Sequence, residues 1–286
     1  MEGSATADLK TYLMLTLLLP FPKSRSRYID RNHIFFPSRE LLGTPADMGL
    51  QYDEAYFPTS DGLVLHGWFV PGEAGSTLLW FHGNSGNISY HLENLDLLHR
   101  HLRSNIFIFD YRGYGRSQGQ PTEEGIYRDS RAALAYLQRR REVNGSLVVY
   151  AGHSLGSAVA VELATQHPPA GMILEAPITS IRDMAKVGRR WLPAGLLVNN
   201  KFNSLQRMKR VKVPLLVIHG DRDPLVPYEL GIRLFQAAPG PKWLYTVEGA
   251  DHKNASKVGG EQYFSTLRQF LRVLGSGAFP ERGVLT

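Results

Sequence analysis

The chain contains no cysteine. That excludes disulfides, thiolate-bound metals and cysteine nucleophiles, and it leaves the redox compartment undetermined. HExxH spacing and carboxylate clusters are also missing, so neither a metal nor a cofactor is expected. Helix-turn-helix and zinc-finger spacings are absent as well, which removes the usual nucleic-acid modules. There is no internal repeat and no low-complexity run. The apolar block near the start, Tyr12 to Phe21, has ten residues, where a bilayer span takes about 20.

What remains is an ordinary globular composition. The 286 residues are 43% hydrophobic and 20% charged, enough for a large core in a single α/β domain. Net charge is +6, from 32 basic and 26 acidic residues. It is unevenly spread. Between Arg182 and Lys212 nine basic residues face one acid, Asp183, so this segment carries +8 and the rest of the chain −2. A local basic patch points to an anionic surface or substrate rather than to nucleic acid. The block at residues 12–21 is followed by Lys23, Arg25, Arg27 and Arg31, and preceded by Glu2 and Asp8. Three readings stay open for it: an interfacial anchor, a helix packed on the domain, or a cleaved or spanning signal. The expected setting is cytoplasmic, with a peripheral membrane contact through residues 12–21 and the basic segment.

From Tyr52 onward apolar strands alternate with amphipathic helices. Tyr56-Phe57 and Leu63 to Val70 flank Ser60-Asp61-Gly62, a hairpin signal. Thr77–Phe81, Ile106–Phe109, Val148–Ala151, Met172–Leu174, Pro214–Ile218 and Trp243–Val247 read as further strands. Between them, residues 87–103 carry Leu92, Leu95, Leu98 and Leu102 at helical spacing, and Phe264, Leu267, Leu271 and Leu274 mark the last helix. This rhythm predicts a mostly parallel sheet covered by helices on both faces. The expected divisions are an N-terminal extension (1–50), one α/β domain (51–275) and a loose tail (276–286).

The pattern Gly-x-Ser-x-Gly occurs twice. At Gly152-His153-Ser154-Leu155-Gly156 it joins a β-branched run directly to an Ala/Val-rich helix start. That context suits a strained strand-to-helix turn carrying an exposed nucleophile. At Gly115-Arg116-Ser117-Gln118-Gly119 it lies in a glycine-rich loop, and Pro121 and Thr122 intervene before any helix. Context selects Ser154 as nucleophile.

Loops at the carboxyl ends of parallel strands meet on one edge. There the sequence brings His82-Gly83-Asn84, Asp110-Tyr111-Arg112, Ser154, Asp221 and Asp223, and finally Asp251-His252. The chain order Ser…Asp…His supplies a nucleophile, an orienting acid and a base. His252 is the candidate base. Asp223 is the candidate acid, with Asp221 read as a loop tie and Glu175 as the remaining contender. Backbone amides of Asn84 and Leu155 are the candidate oxyanion donors, each worth on the order of 3 kcal/mol of transition-state stabilisation. His82, His153 and His219 read as loop-shaping residues. His82 and Tyr111 are also candidate pocket residues, with Trp191, Leu192 and Leu196 from a longer insertion.

Taken together, Phe81-His82-Gly83-Asn84-Ser85-Gly86-Asn87, Asp110-Tyr111-Arg112-Gly113-Tyr114-Gly115, Gly152–Gly156, His219-Gly220-Asp221-Arg222-Asp223 and Gly249–His252 resemble an α/β-hydrolase-fold serine hydrolase. The first two loops resemble a narrower group of membrane-associated acyl hydrolases, fatty-acyl protein thioesterases among them, and small bacterial carboxylesterases. That resemblance implies ester or thioester hydrolysis and a cap over the site, here at about residues 177–211. It also makes Trp191, Leu192 and Leu196 an acyl-pocket wall with a basic rim, where each basic residue near an anionic bilayer is worth about 1 kcal/mol. The rivals are a peptidase or amidase on the same triad, a non-catalytic ligand-binding member of the fold, and a membrane-recruited scaffold.

Overall fold

The computed structural model describes residues 34–143, 147–187 and 201–279. Its central strands are apolar along most of their length because both faces are covered. In β3 (Thr77–Phe81), Leu79 and Phe81 enter one core while Leu78 and Trp80 enter another. The same alternation, a consequence of the two-residue strand period, runs through β4 (Asn105–Phe109), β5 (Val148–His153), β6 (Gly171–Glu175) and β7 (Leu215–Gly220). Before them, β1 (Asp53–Pro58) and β2 (Val64–Val70) form the predicted hairpin. The last strand is β8 (Lys242–Val247).

These strands make one eight-stranded sheet in the order β8-β7-β6-β5-β3-β4-β2-β1. Only the pairs involving β2 are antiparallel. Helices α2 (Glu123–Gln138), α3 (Leu155–Gln166) and α6 (Tyr228–Ala237) bury their apolar sides in one core. Helices α1 (Leu92–Leu102) and α7 (Ala255–Ser276) cover the other face. Two short helices, α4 (Ile181–Val187) and α5 (Ser204–Met208), lie within the insertion at about residues 177–211. The chain order turns back at β3, since β4 lies on one side of it and β5 on the other. In such sheets the binding crevice forms at that reversal.

Three boundaries differ from the sequence reading. The packed α/β domain reaches back before residue 51. Ile34 and Phe35 are fully buried, Phe35 meets Phe202 edge-on, and Phe36–Pro37 pairs with Ser85–Gly86 beside the His-Gly-Asn loop. This stretch has no strand or helix period, so its burial left no mark in the sequence pattern. The helix read at 87–103 begins as a 3-10 turn at Ile88–His91, capped by the Asn87 side chain, and becomes α1 at Leu92. At the other end α7 passes residue 275 to Ser276, where left-handed Gly277 stops it. Residues 12–21, Trp191, Leu192 and Leu196 lie outside the described residues. Among those described, no helix is long and apolar enough to cross a membrane.

The β5–α3 connection is a tight joint. A Cβ on Gly156 would run into the carbonyl oxygens of Phe81 and His82 at the end of β3, and one on Gly152 would lie 2.7 Å from Ser157 Cα. Neither neighbour can give way, because both are backbone. Gly156→Ala should therefore cost about 2 kcal/mol or more through overpacking. Gly275→Ala, whose Cβ would meet open space late in α7, should be neutral or stabilising by up to about 1 kcal/mol. Urea melts of the two variants check the contrast.

Candidate active site

Ser154 stands between β5 and α3 with φ 55° and ψ −119°, a backbone conformation that costs a non-glycine residue about 1–3 kcal/mol. The strain is held by contacts on both sides. Its amide donates to the Glu175 carbonyl of β6 at 3.0 Å, and its carbonyl accepts from the Ser157 hydroxyl at 2.6 Å. Ser117, in the second Gly-x-Ser-x-Gly, has a different position. It is fully buried, its hydroxyl donating to the Asp110 carbonyl at 2.6 Å and accepting from the His66 amide at 2.9 Å. A hydroxyl so committed has no path to a substrate.

The loops after β7 and β8 bring Asp223 and His252 together. Asp223 Oδ2 lies 2.7 Å from His252 Nδ1 and 3.5 Å from His219 Nε2, while Oδ1 accepts from the amides of Leu225 and Val226 at 2.8 and 2.9 Å. Burial pushes this carboxyl's pKa up, but the hydrogen bonds from His219 and His252 outweigh burial and hold it well below the usual carboxylate range. Asp221 is engaged elsewhere, its Oδ1 accepting from the Gly249 amide at 2.6 Å. Asp251 caps its own turn through the amides of Lys253 and Asn254. Glu175 accepts from the Tyr263 hydroxyl at 2.6 Å. Of the candidate acids, Asp223 is the one hydrogen-bonded to His252.

Two histidines that sequence reasoning treated as loop shapers have specific partners. His153 Nε2 lies 2.9 Å from the His252 carbonyl oxygen and therefore donates to it, with the two rings 4.8 Å apart. His219 Nε2 lies 2.9 Å from the Val226 carbonyl oxygen, closing the turn that presents Asp223. The first brace crosses from the end of β5 to the loop after β8, which no local spacing reveals, while the second closes the loop after β7 on itself. The one available signal was position, since both residues lie at the carboxyl end of a strand.

The His-Gly-Asn loop is oriented from below. His82 Nδ1 donates to the Gly83 carbonyl at 2.8 Å, and the trans peptide turns the Asn84 N–H the opposite way. Tyr111 and Tyr114 hydroxyls hold the carbonyls of His82 and Asn84 at 2.9 and 2.8 Å. Leu155 opens α3, so its amide has no intrahelical acceptor. Here the pocket assignment of His82 and Tyr111 is corrected. Both are fully buried, their rings stack 4.1 Å apart, and neither lines the cavity. They sit behind the loop because the carbonyls that they tie down face away from the crevice. The Asp110–Arg112 segment is likewise structural. Asp110 accepts from the Ile88 amide and meets His66 Nδ1 at 3.1 Å, and Arg112 bridges Asp61 and Asp129.

Ser154, Leu155, Asn84, His153 and His252 all line one cavity of about 520 Å³. Among the described residues no group of three or more His, Asp and Glu side chains could hold a metal ion. Chemically, the site offers a hydroxyl on a strained turn, an imidazole whose far nitrogen is fixed by a carboxylate, and two backbone donors beside them.

Comparison with known proteins agrees with this architecture. Residues 77–206 match the family described as serine aminopeptidase S33, Hydrolase_4. The α/β hydrolase domain-containing protein WAV2 of Arabidopsis thaliana is 34% identical over 249 residues, covering 80% of this chain and 81% of that protein. An uncharacterised protein of Mycobacterium tuberculosis is 36% identical over 245 residues, 85% of this chain and 87% of its own. The esterase Pf2001 of Pyrococcus furiosus superposes with a TM-score of 0.71 at 21% identity, over 84% of this chain and 97% of that one. The chain belongs to the α/β-hydrolase family.

Burial holds the rings of His82 and His153 neutral, pushing their pKa values down to about 4 and about 3. An unfolded histidine takes its proton near 6.5, so the stability these two carry is whole above that pH and is lost as pH falls towards 4. Asp129, pushed up by burial to about 6, works in the opposite sense over a smaller span. Urea midpoints should fall as pH drops from about 6.5 to about 4.5, before Asp223 begins to protonate. A midpoint constant over that window would contradict the buried, neutral assignment.

Proposed function

We propose that this protein is a serine hydrolase that cleaves carboxylic esters or thioesters through a Ser154 acyl-enzyme. The observation that carries the reading is the 2.7 Å contact of Asp223 with His252, whose ring lines the same cavity as Ser154. In the mechanism, His252 Nε2 takes the Ser154 proton as Oγ attacks the acyl carbon. Asp223 fixes the Nδ1–H tautomer and stabilises the imidazolium that forms. The oxyanion is received by the Asn84 and Leu155 amides. The tetrahedral adduct collapses, His252 returns the proton to the departing alcohol or thiol, and water then repeats the sequence to release the acid.

An ester or thioester is favoured over a peptide by the acids that line the cavity. An aminopeptidase holds its substrate's ammonium group with a free carboxylate. Here Glu175 is taken by Tyr263, Glu93 by Lys257 at 2.8 Å, and Asp251 by its own turn. Burial also pushes the Glu175 carboxyl towards its neutral form. The name of the matching esterase structure agrees with this choice, although the family description names a peptidase. A peripheral membrane contact and a lipid-like acyl group belong to the same reading. They rest on residues 12–21, outside the described residues, and on the basic segment, where Lys186 already pairs with Asp183 and Arg207 with Glu123.

The test is a panel of p-nitrophenyl esters and acyl thioesters assayed with the intact protein and three variants. Ser154→Ala should abolish turnover. Asp223→Asn should lower kcat by roughly four orders of magnitude, since the tautomer is lost, while Asp221→Asn stays within about tenfold of the parent. Equal turnover by Ser154→Ala, or a larger loss at Asp221 than at Asp223, would overturn the assignment.

A further inference from the structure

The cavity does not end at the crevice. It continues from Ser154 down the sheet face that α1 and α7 cover, as far as Leu78 on β3. From Leu78 to Phe81 the strand alone runs roughly 10 Å, with Gly83 in the loop beyond it. The floor has a specific origin in the strand register. Trp68, Ile108, Trp80, Ala151, Ile173, Leu216 and Trp243 are successive partners across seven strands, so they form one row on one face. Six of these side chains are large. Ala151, next to the Ser154 turn, is the small one, and it leaves a notch between Trp80 and Ile173 that opens into the cavity.

The walls are apolar and the roof is latched. Leu98 of α1 and Leu267 of α7 both line the arm. Above them Lys257 pairs with Glu93 at 2.8 Å, and the Ser256 hydroxyl donates to the Asn94 side chain at 3.2 Å. Three buried titratable groups in the lining lean to their neutral forms. Burial pushes His91 well below the usual histidine range, raises Tyr263 well above the tyrosine range, and raises Glu175. An arm floored by apolar strand residues, roofed by an ion pair and starting at a nucleophile suits a linear hydrocarbon chain attached to the reacting carbonyl.

We propose that this arm binds the acyl chain of the substrate, laid from Ser154 over Ala151 between α1 and α7 rather than against the insertion. The proposal deepens the ester or thioester hydrolase reading and rests on it. Chain length is then sensed by the sheet floor. Each methylene buried in the arm is worth about fourfold in binding, from the usual transfer free energy of a CH₂.

The test uses the full chain with p-nitrophenyl butyrate and p-nitrophenyl laurate below their critical micelle concentrations. The intact protein should show the higher kcat/KM on laurate. Ala151→Phe fills the notch and should lower the laurate-to-butyrate ratio by about 60-fold, the loss of three buried methylenes. Leu98→Trp, which narrows the arm from the helix side, should lower it in the same direction. An unchanged ratio in variants that melt like the parent would overturn the proposal. Calorimetric titration of Ser154→Ala with laurate separates this from the catalytic reading. Saturable binding that Ala151→Phe abolishes supports the arm even if no ester is turned over, and no binding overturns it.

Discussion

The strained turn at Ser154 is the constraint on which the rest of the site depends. A residue with φ 55° persists only where its surroundings over-determine it. Here β6 supplies an acceptor for its amide, and the first turn of α3 supplies a donor for its carbonyl. Gly156 brings the helix against the end of β3. The neighbouring residue, His153, reaches across to the backbone of His252. One joint therefore fixes β3, β6 and the β8–α7 loop relative to the serine, and it fixes the helix whose first amide has no intrahelical acceptor.

Around that joint the polar groups are divided between those that face the cavity and those that hold them. Asp223 is held charged because hydrogen bonds from two histidines and two amides outweigh burial, which acts in the opposite direction. His82, Tyr111 and Tyr114 take the carbonyls of the His-Gly-Asn loop and leave the Asn84 amide turned the other way. The same loop is buttressed by residues 34–37, so the start of the described chain contributes to the site without entering the cavity.

Much of this was legible in the sequence, for reasons tied to short-range chemistry. Strand alternation and helical spacing gave the layers, because both are local periods. Ser154 was separable from Ser117 by what precedes and follows each, and the structure shows Ser117 sealed under Asp110 and His66. Pocket residues were not legible. His82 and Tyr111 were expected to face substrate, but side-chain direction in a loop is set by carbonyls that the sequence does not orient. The notch at Ala151 was hidden for a related reason. An alanine in an apolar strand is unremarked until the register shows six large partners beside it in the same row.

The central claim is that this turn exists to present a reactive hydroxyl. It is tested most directly by treating the intact protein with a fluorophosphonate and locating the adduct by mass spectrometry of the digested chain. The account predicts one phosphonyl group per chain, carried by Ser154. An adduct on Ser117 or another residue, or no adduct on the folded protein, would contradict it.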